Sequence, residues 1–289
     1  MTVPLVIVIL YLAGTMAVAV RVAGSNRDAD SYSLAGRSVP GWAVGLSVLG
    51  TFTSSITFLG LPQKAYAENW NAFMFGAALP LAAYVATRWL VPLYRSTIQY
   101  SVYELLEIRF GYWARVYGAA SYIVLQLIRV GTVLLLVSFA VTPLIGLPML
   151  PTLLVLGSLI IVYDVLGGLR AVIWTDVVQV IILCVGAFWC MALLIAQHGG
   201  PSQFFQAVPA HHVSLAAWNR PLGTSDPWHD LFDLAKPTMF VVFLYGLSEN
   251  LRNYGTDENY VQRYLATKTD REAGYSVWLG ALGYLPVSI

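Results

Sequence analysis

A chain of 289 residues that is 58% hydrophobic and only 11% charged cannot fold as a water-soluble domain, because soluble domains carry about a quarter charged residues. Its mean hydropathy of +0.68 marks an all-α, polytopic membrane protein whose surroundings are a lipid bilayer. The net charge of +1 gives no basic footprint for nucleic acid as a partner.

A helix crosses the hydrocarbon with about 20 apolar residues. Spans are expected at 3–22, 43–63, 73–94, 116–146, 150–168, 171–196 and 232–250, with another helix opening near 273. The first lacks a charge ahead of its apolar core and runs into a basic loop, so it reads as a helix rather than a signal peptide. Basic residues crowd one side, Arg21, Arg37, Arg95, Arg115, Arg170 and Arg263 among them, against Lys64, Arg220 and Lys236 on the other. The positive-inside rule puts the crowded side in the cytoplasm of a cell (plasma) membrane and the N-terminus outside.

The second span reads "GLSVLGTFTSSITFLGLPQKAY". Thr51, Thr53, Ser54, Ser55 and Thr57 lie together between Gly50, Gly60 and Pro62. One or two hydroxyls would suit a bent packing helix. Five beside helix breakers point to an unwound segment lining a cavity, with carbonyls and hydroxyls as hard ligands for a cation such as sodium.

In the fourth expected span, "LQLIRVGTVLLLV" places Arg129 about a dozen residues from either helix end. A guanidinium at that depth snorkels, pairs with a buried acid, or binds an anion. Depth argues against snorkelling. A bidentate carboxylate ligand is the preferred partner, and a resident acid such as Asp176 is the competitor. Asp176 itself, in "AVIWTDVVQVII", is either an acid on an ion path or an interfacial carboxylate paired with Arg170.

Residues 198–230 are expected to form a long external loop. Its histidines, His211, His212 and His229 with Asp230, lack regular zinc spacing and read as solvated. Cys184 and Cys190 lie in an apolar run and read as packing residues. Asn250 and Asn253, three apart at the end of an apolar run, share a helical face. They are either interface residues or amides for a polar ligand. No phosphate loop, nucleophile elbow or His-Glu zinc motif occurs, so no catalytic residues and no cofactor are expected. The closing "SVWLGALGYLPVSI" ends an apolar helix without a polar flank and is expected to continue in a longer parent.

Four segments in this order, "YSLAGRSVPGWAVGLSVLGTFTSSITFLGLPQKAY", "SVYELLEIRFG", "VYDVLGGLRAVIWTDVVQVIIL" and "NYVQRYLATK", resemble the sodium:solute symporter family. The resemblance implies a leucine-transporter-like inverted repeat. Residues 3–22 would be a leading extra helix, 43–196 the first five-helix repeat, and 231–289 the start of an incomplete second repeat, all one transporter domain. It further implies sodium-coupled symport by alternating access, with sodium as the coupling ion. Gly50, Thr53 and Asp176 would serve sodium, the remaining sodium hydroxyls coming from a later helix that this sequence does not contain. Galactose-type members carry a Glu-Gln pair where Ile56 and Thr57 stand here, whereas the arginine pattern is similar to members that carry sialic acid. On that likeness Arg129 holds a carboxylate, with Ser54, Thr57 and Asn250 around the solute, a small organic anion. The runner-up is a transporter-like sensor module of a signalling protein. A membrane-embedded enzyme built on Asp176 and Arg129 ranks third.

Overall fold

The computed structural model describes residues 2–23, 28–67, 70–146, 148–208 and 238–288. Among these the secondary structure is helical, apart from one isolated parallel bridge, Val39 to Thr267. The helices are α1 (Thr2–Ala23), α2 (Ala29–Leu34), α3 (Gly41–Phe52), α4 (Ile56–Ala67), α5 (Trp70–Thr97), α6 (Glu104–Phe110) and α7 (Tyr112–Ile145). There follow α8 (Met149–Gln197), α9 (Pro201–Ala207), α10 (Met239–Thr256), α11 (Glu258–Leu265) and α12 (Asp270–Ser288).

Trp70–Thr97, Tyr112–Leu144 and Asp164–Gln197 are long and apolar enough to cross a bilayer, and α3 with α4 makes a fourth such path bent by 57°. Most expected spans have a helix in the expected place, with shifted ends. The span expected from 116 begins at Tyr112, and the one expected to stop at 250 runs on to Thr256. The expected spans 150–168 and 171–196 form one helical run interrupted at Gly168, whose φ of 59° and ψ of −172° belong to a region open essentially to glycine alone. Part of the expected external loop is helical, as α9, and 209–230, with His211, His212 and His229, lies outside the described residues.

Prolines shape two of the spans. Leu61 and Val91 donate five residues back, to the carbonyls of Ile56 and Ala86, and in both cases proline follows at once. Pro62 and Pro92 have no N–H and their rings press on the preceding turn, so the helix widens by one residue there.

The core lies where α3 meets α12 and the second half of α8. Val44, Val48, Ile173, Val277 and Ala281 are buried there. By contrast the apolar residues of α7, such as Leu127, Ile128 and Val130, are exposed. Close backbone approach is built with glycine. A Cβ on Gly246 of α10 would lie 2.7 Å from Phe75 Cα and 2.8 Å from its carbonyl oxygen. Gly246→Ala is therefore expected to cost about 1–3 kcal/mol of stability, read as a lower melting temperature in detergent.

One end of the bundle is knitted by polar contacts. Glu104, from the "SVYELLEIRFG" segment, accepts the backbone N–H groups of Gln99, Tyr100 and Ser101 at 2.6, 3.0 and 3.1 Å. Arg95 donates to Asp270 at 2.5 Å and to the Thr267 carbonyl at 3.1 Å. Arg170 does not reach Asp176: it donates to the Ala35 carbonyl at 2.9 Å and to Ser38. Glu258 accepts from Val102 N–H at 3.0 Å and from Ser101 at 3.2 Å.

Burial pushes the Glu258 carboxyl up to about 7 from 4.5, against the hydrogen bonds it accepts. A raised carboxyl pKa means that the folded state binds more protons than the unfolded state between pH 4.5 and about 7. Its contribution to stability is thus complete below that window and lost as pH rises through it. Glu258→Gln is expected to flatten this part of the melting-temperature profile, measured from pH 5 to 8.

Candidate functional site

The hydroxyl-rich stretch is where the second span breaks. Phe52 ends α3, Thr53 turns extended (φ −95°, ψ 97°), and α4 starts at Ile56. The hydroxyls repair part of the damage. Thr53 donates to the Leu49 carbonyl at 2.9 Å, Thr57 to the Phe52 carbonyl at 3.0 Å, and Ser55 crosses to the Val133 carbonyl of α7 at 3.2 Å.

A cavity of about 660 Å³ opens beside the break. Gly50, Thr53 and Ser54 line it from the broken helix, Asp176 and Gln179 from α8, and Tyr11 from α1. Four of the residues expected at the site therefore meet at one cavity. The approach is close, since a Cβ on Gly50 would lie 2.8 Å from Val180 and 3.7 Å from Asp176.

The other three stand elsewhere. Thr57 lines a separate cavity of about 340 Å³ with Trp70, Phe73 and Ser288. Its neighbours Phe58 and Leu59 line the first cavity, so the two cavities flank opposite sides of α4. Asn250 is fully buried and donates to the Phe75 carbonyl at 3.2 Å, while its Oδ1 finds no hydrogen-bond partner among the described residues. Arg129 lines neither cavity. It sits one turn before Val133, so about 6 Å along α7 from the residue that Ser55 touches.

Both charged site residues have resident counter-ions, and neither is the one expected. Asp176 was the expected competitor for Arg129. The acid that Arg129 meets is Asp257, at 3.3 Å, with the carboxylate fully buried and the guanidinium side chain 35% exposed. Asp257 caps α11, accepting from Asn259 N–H at 3.0 Å. It also faces Tyr122 and Gln126, each at 3.4 Å. Arg252 stands 4.0 Å away. Asp176 instead accepts from Arg263 at 3.0 Å and from Ser47 at 2.5 Å. Arg263 is nearly buried and donates also to Ser47 at 2.8 Å and the Asn259 carbonyl at 2.6 Å.

Sequence reading missed Asp257, Arg263 and Ser47. A local signal for the first existed: Tyr122, Gln126 and Arg129 recur at helical spacing as a polar stripe on an apolar helix, which asks for a fixed polar partner.

The cavity offers a carboxylate, hydroxyls and broken-helix backbone to a hard cation, and the partly exposed Arg129 guanidinium stands on α7 two turns before Val137, which lines the same cavity. Among the described residues no group of three or more His, Cys, Asp or Glu side chains is placed to hold a metal ion.

Comparison with known proteins agrees with this architecture. A sodium/sialic acid symporter of Aliivibrio fischeri, NanT, is 33% identical over 263 residues, covering 89% of this chain and 49% of that protein. The sodium/sialic acid symporter SiaT of Proteus mirabilis is 31% identical over 268 residues, covering 91% and 51%. The chain thus spans about half the length of these curated relatives. A solved Na+-coupled sialic acid symporter, in a substrate-bound outward-open state, superposes with a TM-score of 0.87 at 26% identity, covering 100% of this chain and 60% of that one. The fold is accordingly the leucine-transporter-like helical architecture expected. Residues 32–285 match the sequence profile of the sodium:solute symporter family, and the chain belongs to that family.

Proposed function

We propose that the protein takes part in sodium-coupled symport of a small carboxylate-bearing solute, such as a sugar acid, by alternating access. The observation that carries this reading is the cavity at the break, where Asp176 meets Gly50, Thr53 and Ser54. An acid at membrane depth beside unwound backbone is the chemistry of a cation path. Arg129 supports the anionic half: it is permanently charged, partly exposed and one turn of α7 from the residue that Ser55 of the break touches. The relatives named above, both sodium/sialic acid symporters, agree with a sugar acid as the solute.

In this reading Gly50, Thr53 and Asp176 serve sodium, and Arg129 takes the carboxylate. Ser54 contributes its hydroxyl from the cavity wall. Thr57 and Asn250 would approach the solute only after the helices rearrange. Residues 3–22 are the leading helix, 43–196 the first repeat, 198–230 the external loop and 231–289 the opening of the second repeat. The basic loops face the cytoplasm, and the N-terminus lies outside.

Ligands that bind only the folded state raise its melting temperature. In the protein from its whole reading frame, sodium is expected to raise melting relative to potassium, and an organic acid to raise it further only in sodium. Equal melting in both salts with every acid of a panel would contradict the reading.

A further inference from the structure

The two ion pairs share one element. Asp257 is the cap of α11 and Arg263 lies in its last turn. One holds the arginine assigned to the solute's carboxylate, and the other holds the acid assigned to the cation. We propose that α11 is a charge-matched latch whose Asp257 and Arg263 occupy, in the ligand-free protein, the partners that the solute's carboxylate and the coupling cation later take. This rests on the functional reading above and adds two positioning residues to it.

The geometry fits such an exchange. Asp257 is drawn by three side chains on a single stripe of α7, Tyr122, Gln126 and Arg129. Arg263 reaches Asp176 directly and also through Ser47 of α3, which accepts from Arg263 and donates to Asp176. Asp176 keeps one side on the cavity, so a cation entering there competes directly with Arg263. Arg129 is likewise partly exposed while Asp257 is not. A solute can therefore reach the arginine without Asp257 leaving first.

Coupling follows from the charges. A cation alone frees Arg263 but leaves Asp257 fastened to α7, and it strands a guanidinium in a buried place. A carboxylate alone does the reverse. Only both together leave α11 with no ion pair to α7 or α8, held by the packing of Tyr260, Val261, Tyr264 and Leu265. Either single exchange strands one charge of α11 in a buried place while the other pair still pins the helix; with both pairs exchanged α11 can turn Asp257 and Arg263 toward water, which relieves that cost.

The test uses the protein from its whole reading frame, in proteoliposomes, with a panel of organic acids as probes. Arg263→Gln should lower the half-saturating sodium concentration about five-fold or more, within the usual range of coupling between sites. Asp257→Asn should lower the half-saturating acid concentration in the same way. Arg263→Lys and Asp257→Glu keep the charges and should stay near the unsubstituted values. Unchanged or raised half-saturation in both neutral variants, at normal membrane levels, overturns the latch while leaving the transport reading intact. Sodium-independent uptake by the unsubstituted protein overturns both. Should the variants fail to fold, amide exchange of 258–265 in the unsubstituted protein decides. It should quicken only when sodium and acid are present together, and exchange that is unchanged or slowed by the pair overturns the proposal.

Discussion

Arg129→Ala is expected to abolish uptake of the acid solute while the protein still reaches the membrane. Truncating one partner of a buried, hydrogen-bonded charge pair costs about 2–5 kcal/mol, roughly thirty- to several-thousand-fold in affinity. The substitution also strips Asp257 of its closest cation, leaving Arg252 at 4.0 Å as the remaining one. Some loss of stability is therefore expected alongside the loss of uptake, since a buried carboxylate without a partner is costly. The double variant Arg129→Ala/Asp257→Asn separates the two effects. It should melt closer to the unsubstituted protein and still fail to take up the acid. Recovery of uptake in the double variant would assign Arg129 to structure alone.

Asp176→Asn should remove sodium dependence. The carboxylate is the one formal negative charge lining the cavity, and Arg263 and Ser47 both donate to it. With an amide there, a cation meets only neutral oxygens beside a guanidinium, and loses an interaction of the charge-assisted kind, about 1.5–3 kcal/mol or roughly ten- to a hundred-fold in affinity. The measurement is uptake against sodium concentration at fixed ionic strength, balanced with potassium. An unchanged sodium curve would place the cation elsewhere. Because Arg263 loses its counter-ion too, Asp176→Asn/Arg263→Gln is the control for stability, and its sodium dependence should remain lost.

Much of the framework was legible because it rests on local rules. Five hydroxyls between glycines and Pro62 predict a break, and the chain breaks at Thr53. The end of one span at 168 and the start of the next at 171 mark the helix interruption at Gly168. Arg129 lies mid-helix, as counting residues from its ends requires. What stayed hidden was pairing across the fold. Arg263 reads only as one of the basic residues on the cytoplasmic side and Asp257 carries no signal in its own segment, while their partners lie 128 and 87 residues away in the chain. Periodicity carries no information at that separation.

Two further positions show how packing redirects a residue. The resemblance puts Thr57 with Ser54 at the solute, yet Thr57 faces the second cavity while Phe58 and Leu59 beside it face the first. Asn250 was placed beside a ligand. Gly246, one turn earlier, lets α5 approach so closely that the amide reaches a backbone carbonyl instead. Neither effect is visible in residue type alone. Both depend on which neighbour a helix meets.

Gradient-driven uptake of a labelled sugar acid into proteoliposomes tests the central claim most directly. An inward sodium gradient should drive saturable accumulation that collapses when potassium replaces sodium or when the carboxylate is masked as an amide. Equal accumulation in potassium, or of the masked compound, would contradict it.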